Sequence, residues 1–112
     1  MTPRIIFFLI FLSGCASLDP YAAYKQARAE SKAEMLRKHP EWPQKTRLAI
    51  ENNEIYIGMT KDQLLASWGL PNDINRNVYP KMVREQWVYG PPFHDYEAYV
   101  YVDNDIVTSY SD

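Results

Sequence analysis

Cysteine occurs once in this 112-residue chain, at Cys15, so no internal disulfide can form. Histidine occurs only at His39 and His94. Two histidines that far apart and one cysteine near the start of the chain make no metal-ligating set, and no GxSxG-type nucleophile motif is present. His94-Asp95, in PPFHDYE, is the one pairing with a catalytic look. Sequence neighbours seldom orient each other as a base and its carboxylate, so His94 reads as a solvated loop residue. His39, before Pro40, reads as a helix-end residue. The closely spaced glycines of a phosphate loop are missing too: Gly58 alone precedes the GMTKDQLLASWGLP stretch, and Lys61 lies inside its helix. No catalytic, cofactor-binding or metal residue is assigned, no cofactor or small-molecule substrate is expected, and the chain reads as a non-enzyme. Positive charge is not in surplus either, with 12 basic against 14 acidic residues. That balance excludes an electrostatic nucleic-acid binder.

Long hydrophobic runs are also lacking. The longest, Ile5–Leu12, is eight residues, far short of the roughly 20 needed to span a bilayer but the right length for a signal-peptide core. Arg4 precedes it and Leu12-Ser13-Gly14-Cys15 follows at once. Leu, two small residues and Cys resemble a bacterial lipobox. The resemblance implies cleavage before Cys15, a diacylglyceryl group on its thiol and an acylated (palmitate-type) amino terminus. On this expectation residues 1–14 are a lipoprotein signal peptide, residues 15–42 an anchor and tether helix, and residues 43–112 the folded domain. The mature chain then has 98 residues, 11 basic and 14 acidic, net charge −3. Its membrane partner is reached through acyl chains on Cys15, each buried methylene contributing about 0.8 kcal/mol. An Asp after the lipidated cysteine commonly retains such proteins in the inner membrane of Gram-negative bacteria. Here the residue is Ala16, which implies an outer-membrane location facing the periplasm.

Asp19-Pro20 supplies an N-cap and first helical residue. Tyr21 to Lys38 is rich in Ala, Lys, Arg and Glu without Gly or Pro, which predicts a helix. Its apolar face is thin (Tyr21, Tyr24, Ala27, Met35, Leu36), as in a largely solvated tether docked at its end. HPEWP, His39–Pro43, breaks it, and a second short helix runs from Gln44 to about Asn52, carrying Leu48, Ala49 and Ile50. GMTKDQLLASWGLP then encodes a helix specified at both ends. Thr60 and Gln63 form a capping box, and Met59 and Leu64 a hydrophobic staple. Leu64, Leu65 and Trp68 share a buried face while Lys61, Asp62 and Ser67 face water. Gly69 closes the helix in the left-handed conformation, and Pro71 prevents its resumption.

After Pro71 the period changes from helical to alternating. Asp73–Tyr79, Val83–Tyr89, Glu97–Val102 and Ile106–Tyr110 are rich in Val, Ile, Tyr and Trp, separated by Pro80-Lys81, Gly90-Pro91-Pro92 and Asp103-Asn104-Asp105. The expected fold is α+β: a two-layer sandwich with short N-terminal helices on one face of a three- to four-stranded antiparallel meander. Alternation sets Ala98, Val100 and Val102 on one face and Tyr99 and Tyr101 on the other, and puts Trp87 and Tyr89 together. Helices can cover one side of a single sheet. Tyr99 and Tyr101, with Phe93 on the neighbouring loop, are therefore the candidate partner-binding residues, given the enrichment of aromatics at interface hot spots.

IxxGMTKDQLLASWGLPND, QWVY and YVYVDNDIVTSY, spread over residues 55–110 and joined to the upstream lipobox, resemble the SmpA/OmlA (BamE-like) family of small outer-membrane lipoproteins, which includes a subunit of the β-barrel assembly machinery. The shared features are the Gly-Met-Thr helix start, the Gly-x-Pro stop, the Trp-x-Tyr strand and the last hairpin. The chain departs from that pattern in its Ala/Lys/Glu-rich helix, in HPEWP and in an Asp-Asn-Asp turn where glycine is usual, as a divergent relative would. The resemblance implies a non-enzymatic scaffold or assembly subunit with an envelope-protein partner. A binding or inhibitor-like envelope module is the alternative, since the fold type also resembles β-lactamase-inhibitor proteins.

Overall fold

A computed structural model describes residues 20–92, 94 and 97–111. Helix α1 is Pro20–Lys38, as its composition predicts. Asp19 and Cys15 lie outside the described residues, as do the side chains of Tyr21 and Tyr24. The helix is solvated over much of its length, yet docks earlier than its thin apolar face implies. Arg28 reaches the Ser67 carbonyl, Lys32 reaches Asn53, and Leu36 enters the core. Near the helix C-terminus His39 N donates to Met35 O at 3.1 Å, and the Arg47 guanidinium donates to Leu36 O at 3.1 Å and, just past the helix, to His39 O at 3.0 Å. In the HPEWP break, His39 stacks on Trp42 with ring centroids 4.3 Å apart.

Helix α2, Gln44–Glu51, buries Thr46, Ala49 and Ile50 and ends at Asn52, with Asn53 at φ 59°. Leu48 stays exposed. Helix α3, Lys61–Trp68, has both halves of the capping box: Gln63 N donates to Thr60 Oγ1 (3.2 Å) and Thr60 N to Gln63 Oε1 (3.0 Å). Met59 and Leu64 are both fully buried, as a staple requires.

Four details of this stretch differ from the sequence expectation, at Leu65, Ser67, Trp68 and Gly69. The buried face of α3 is Gln63, Leu64, Ala66 and Ser67, while Leu65 and Trp68 are half-buried. Ser67 does not face water; its hydroxyl donates to Glu54 O at 2.6 Å, so a small polar residue is buried with its bond made. Trp68 instead lies at the border of the core, edge-on to Tyr89 and donating Nε1–H to Asn53 O at 2.9 Å. Gly69 has positive φ, 79°, but ψ is −169°, so the chain leaves the helix extended rather than left-handed.

The strands β1 (Asp73–Tyr79), β2 (Met82–Tyr89), β3 (Ala98–Asp103) and β4 (Ile106–Ser111) form one antiparallel sheet in the order β1-β2-β3-β4. Asn104 and Asp105 both have positive φ (49° and 68°), the primed two-residue turn that matches strand twist and that Asn and Asp tolerate. The β3–β4 register shifts between Tyr101 and Val102, which pair with Ser109 and Val107, so Thr108 of β4 is the extra, bulged residue. The helices pack on the face that carries Trp87, Tyr89, Val100, Val102 and Val107. The fold is the α+β arrangement of helices on a four-stranded meander. Residues 58–61 stitch the two layers: Gly58 N donates to Val107 O, Val107 N to Met59 O and Lys61 N to Asp105 O, all within 2.8–2.9 Å.

Candidate interaction surface

Strand alternation leaves two unlike faces. On the helix-covered face Glu85 is the one buried charged group among the described residues, and it stands opposite the exposed Arg76 of β1. Trp87 Nε1–H donates to its carboxylate at 2.9 Å, Lys61 Nζ lies at 3.3 Å, and Arg76 Nε at 3.7 Å. Burial pushes the Glu85 carboxyl up, but the Trp87 and Lys61 hydrogen bonds and the Lys61 and Arg76 charges outweigh it and hold it below its ordinary value. This is a satisfied structural anion that fastens α3 to the sheet.

The opposite face carries Tyr99 and Tyr101 of β3. Val88 and Gln86 of β2 stand opposite them, and Arg84 stands opposite Asp103. No described helix crosses this face. Tyr99 keeps 37% of its surface exposed and Tyr101 is half-buried. Around them the polar side chains are ordered into a network spanning all four strands. Asn75 Nδ2 donates to Gln86 Oε1 and Gln86 Nε2 to the Tyr101 hydroxyl oxygen, each at 3.1 Å. Arg84 grips Asp103 through two bonds, Nε–Oδ1 at 2.8 Å and Nη2–Oδ2 at 2.9 Å, while Thr108 Oγ1 donates to Oδ2 at 2.8 Å. The Arg84 guanidinium also sits 5.4 Å from the Tyr101 ring centroid. The Arg84 hydrogen bonds hold the Asp103 carboxyl below its usual range, with Thr108 adding to the effect. A bidentate, fork-on-carboxylate pair fixes both side chains in one geometry.

The structure thus brings Tyr99 and Tyr101 together on one open face. Phe93 lies outside the described residues, as does Asp95 of the His94-Asp95 pair. The His94 ring packs edge-on against Tyr89, centroids 4.8 Å apart. Arg84, Gln86, Asp103, Asn75 and Thr108 were not singled out from the sequence. The signal for Arg84 and Gln86 was present in the alternation that buries Trp87 and Tyr89, because it must turn their neighbours outward.

Among the described residues, no group of three or more His, Cys, Asp or Glu is placed to hold a metal, and no helix is long and apolar enough to cross a membrane. A cleft of about 430 Å³ between α1 and the α2 end is lined by Lys25, Arg28, Lys32, Leu36, Glu51 and Asn53. Burial and the nearby Arg28 charge lower the Lys32 pKa there, partly offset by Glu51. The chain matches no protein-family model, no curated protein and no solved structure.

Proposed function

We propose that this chain is a lipid-anchored, periplasm-facing lipoprotein of the Gram-negative outer membrane. In this reading it is a non-enzymatic scaffold or assembly subunit that binds another envelope protein through the open sheet face, in the manner its SmpA/OmlA resemblance implies. The observation that carries the reading is the pairing of exposed Tyr99 and half-buried Tyr101 with a polar network already ordered across four strands. Tyrosine contributes large contact area at low entropic cost, and side chains ordered before binding lose less freedom on binding. Acyl chains on Cys15 would confine the domain to one membrane, so even a modest protein–protein contact gains from the raised local concentration.

Recovery of partners from detergent-solubilised envelopes tests the proposal. Wild-type chain should bring down one envelope protein, or a set such as the barrel-assembly subunits, in stoichiometric amounts. Tyr99→Ala with Tyr101→Ala should lose that protein while keeping the folded CD spectrum. A double variant that retains its partner at wild-type yield would make this face ordinary surface. Retention of a low-molecular-weight ligand by the purified chain, with no protein partner, would favour the binding-module alternative.

A further inference from the structure

A four-stranded open sheet has two edges, and here they are treated differently. The start of β4 is occupied by residues 58–61, through the Thr60–Ile106 bridge and its flanking hydrogen bonds. Among the described residues nothing pairs with the outer edge of β1, and all seven of its residues are exposed. On the helix side of the sheet, Ile74 is 40% and Val78 72% exposed. Free edges are usually blunted by proline, lysine, a bulge or a covering element. DINRNVY has no Pro or Lys, and its pairing with β2 runs without a break over all seven residues. Its charged residues are Asp73, at the end, and Arg76, which reaches back to Glu85 of its own sheet.

The backbone directions follow from the register. Val83 O accepts from Asn104 N on the β3 side. Hydrogen-bonding direction alternates along a strand, so Met82, Arg84, Gln86 and Val88 turn theirs to β1. Their partners are Tyr79, Asn77, Asn75 and Asp73. The amides and carbonyls of Ile74, Arg76 and Val78 therefore point outward, and the Ile74 amide is satisfied only by the Asp73 carboxylate, at 2.9 Å.

We propose that this edge pairs antiparallel with β1 of a second copy, about a two-fold axis through Arg76, joining two sheets into one of eight strands. A two-fold axis perpendicular to the sheet keeps each residue on its own face, so only registers centred on a residue are allowed. Centring on Arg76 overlaps the whole strand, sets Ile74 against Val78 of the other copy twice over, and pairs Asn75 with Asn77. Every outward backbone group then meets another. Centring on Asn75 would put Ile74 against Arg76; centring on Asn77 would put Val78 against Arg76 and Ile74 against Pro80, which has no amide to give. The edge complements itself in one register, and each Arg76 at the axis keeps its own Glu85 carboxylate 3.7 Å away, an opposing charge beside the like-charge pair. The Asp73 carboxylate yields the Ile74 amide to the Val78 carbonyl of the second copy. An edge of this length is a small interface, so the dimer is concentration-dependent.

Sedimentation equilibrium of the full chain in detergent micelles, over roughly a hundredfold concentration range, should show a monomer–dimer equilibrium. Val78→Lys or Ile74→Lys should return it to monomer, with a thermal melt equal to that of the wild type at concentrations where the wild type is itself monomeric, since both side chains are exposed. Mixing Ile74→Lys with Val78→Glu should restore a mixed dimer, because residue 74 of one chain faces residue 78 of the other. In a Cys15→Ser background, Arg76→Cys should crosslink on mild oxidation. Residues facing each other as a hydrogen-bonded pair sit about 5.5 Å apart at Cα, within disulfide range. Asn75→Cys should not crosslink, its two copies lying about 8 Å apart along the diagonal. A chain that stays monomeric throughout, as it would if residues 1–19 occupied the edge, overturns the proposal. So does equal crosslinking at positions 75 and 76. Tyr99→Ala with Tyr101→Ala should leave the dimer intact, which keeps this test separate from that of the partner-binding face.

Discussion

Gly69→Ala is the substitution whose cost the structure resolves most sharply. At φ 79° and ψ −169° Gly69 occupies a backbone region that is essentially reserved for glycine, worth about 1–3 kcal/mol of strain for any other residue. Alanine stiffens the unfolded chain and recovers about 0.4–1 kcal/mol of that. A second cost is steric. A Cβ on residue 69 would stand 2.6 Å from Arg28 Nε and 3.0 Å from Arg28 Cδ. The arginine must swing away, releasing its bond to Ser67 O, a charged hydrogen bond that contributes about 1.5–3 kcal/mol when buried and less at this half-buried site. Together the two costs come to about 2–4 kcal/mol, which lowers Tm by about 10 °C or more in a domain of this size. Urea denaturation followed by CD should separate them in a double-mutant cycle. In an Arg28→Ala background the steric part is already gone, so Gly69→Ala should cost only the backbone part, about 1–2 kcal/mol. If Gly69→Ala melts with the wild type, or if its cost vanishes entirely once Arg28 is removed, the reasoning about this backbone position fails.

Further outcomes follow from neighbouring features. Ser67→Ala removes the donor to Glu54 O inside the core and should cost about 1–3 kcal/mol in the same denaturation assay, whereas Thr60→Ala, losing a helix cap, should cost about 1 kcal/mol. Glu85 and Asp103 both have carboxyl pKa values below the unfolded ones. Their contribution is therefore complete above the unfolded values, about 4.3 and 3.9, and is lost as pH falls toward and through the lowered folded ones. Denaturation midpoints should fall as pH drops through this range, and Glu85→Gln should be weaker at pH 7 with a shallower acid slope. If Cys15 is acylated, the intact mass of mature protein should match residues 15–112 plus acyl groups and Cys15→Ser should block processing; an unmodified thiol at Cys15 in the mature chain refutes the anchor.

Local chemistry made much of the fold legible. The alternation of β-branched and aromatic residues and the turn-formers between them place the four strands within a residue or two, because both signals act over a few residues. The capping box and staple of α3 are local in the same way. What the sequence hid depends on distant partners. Ser67 looks like a surface residue until Glu54 O arrives to accept its proton. Trp68 looks like core until Asn53 draws its indole N–H to the border. The early docking of α1 rests on Arg28, whose target lies 39 residues away. At the candidate site the tyrosines were readable from alternation, but the network that orders Tyr101 was not, since Asn75, Gln86 and Tyr101 become neighbours only once three strands are in register.

The stitch between residues 58–61 and β4 has a kinetic consequence. Every other pairing in the sheet joins strands adjacent in the chain, two of them through two-residue turns, so the meander can assemble from local contacts with little loop-closure cost. The bonds among Gly58, Met59, Lys61, Asp105 and Val107 instead close a loop over the whole of α3, β1, β2 and β3. They can form only when both layers are largely in place. The amide protons of Gly58, Lys61 and Val107 are therefore clocks for the joining of helices to sheet, and their hydrogen-exchange rates read directly whether the two layers open as one cooperative unit or the helical layer lifts off first.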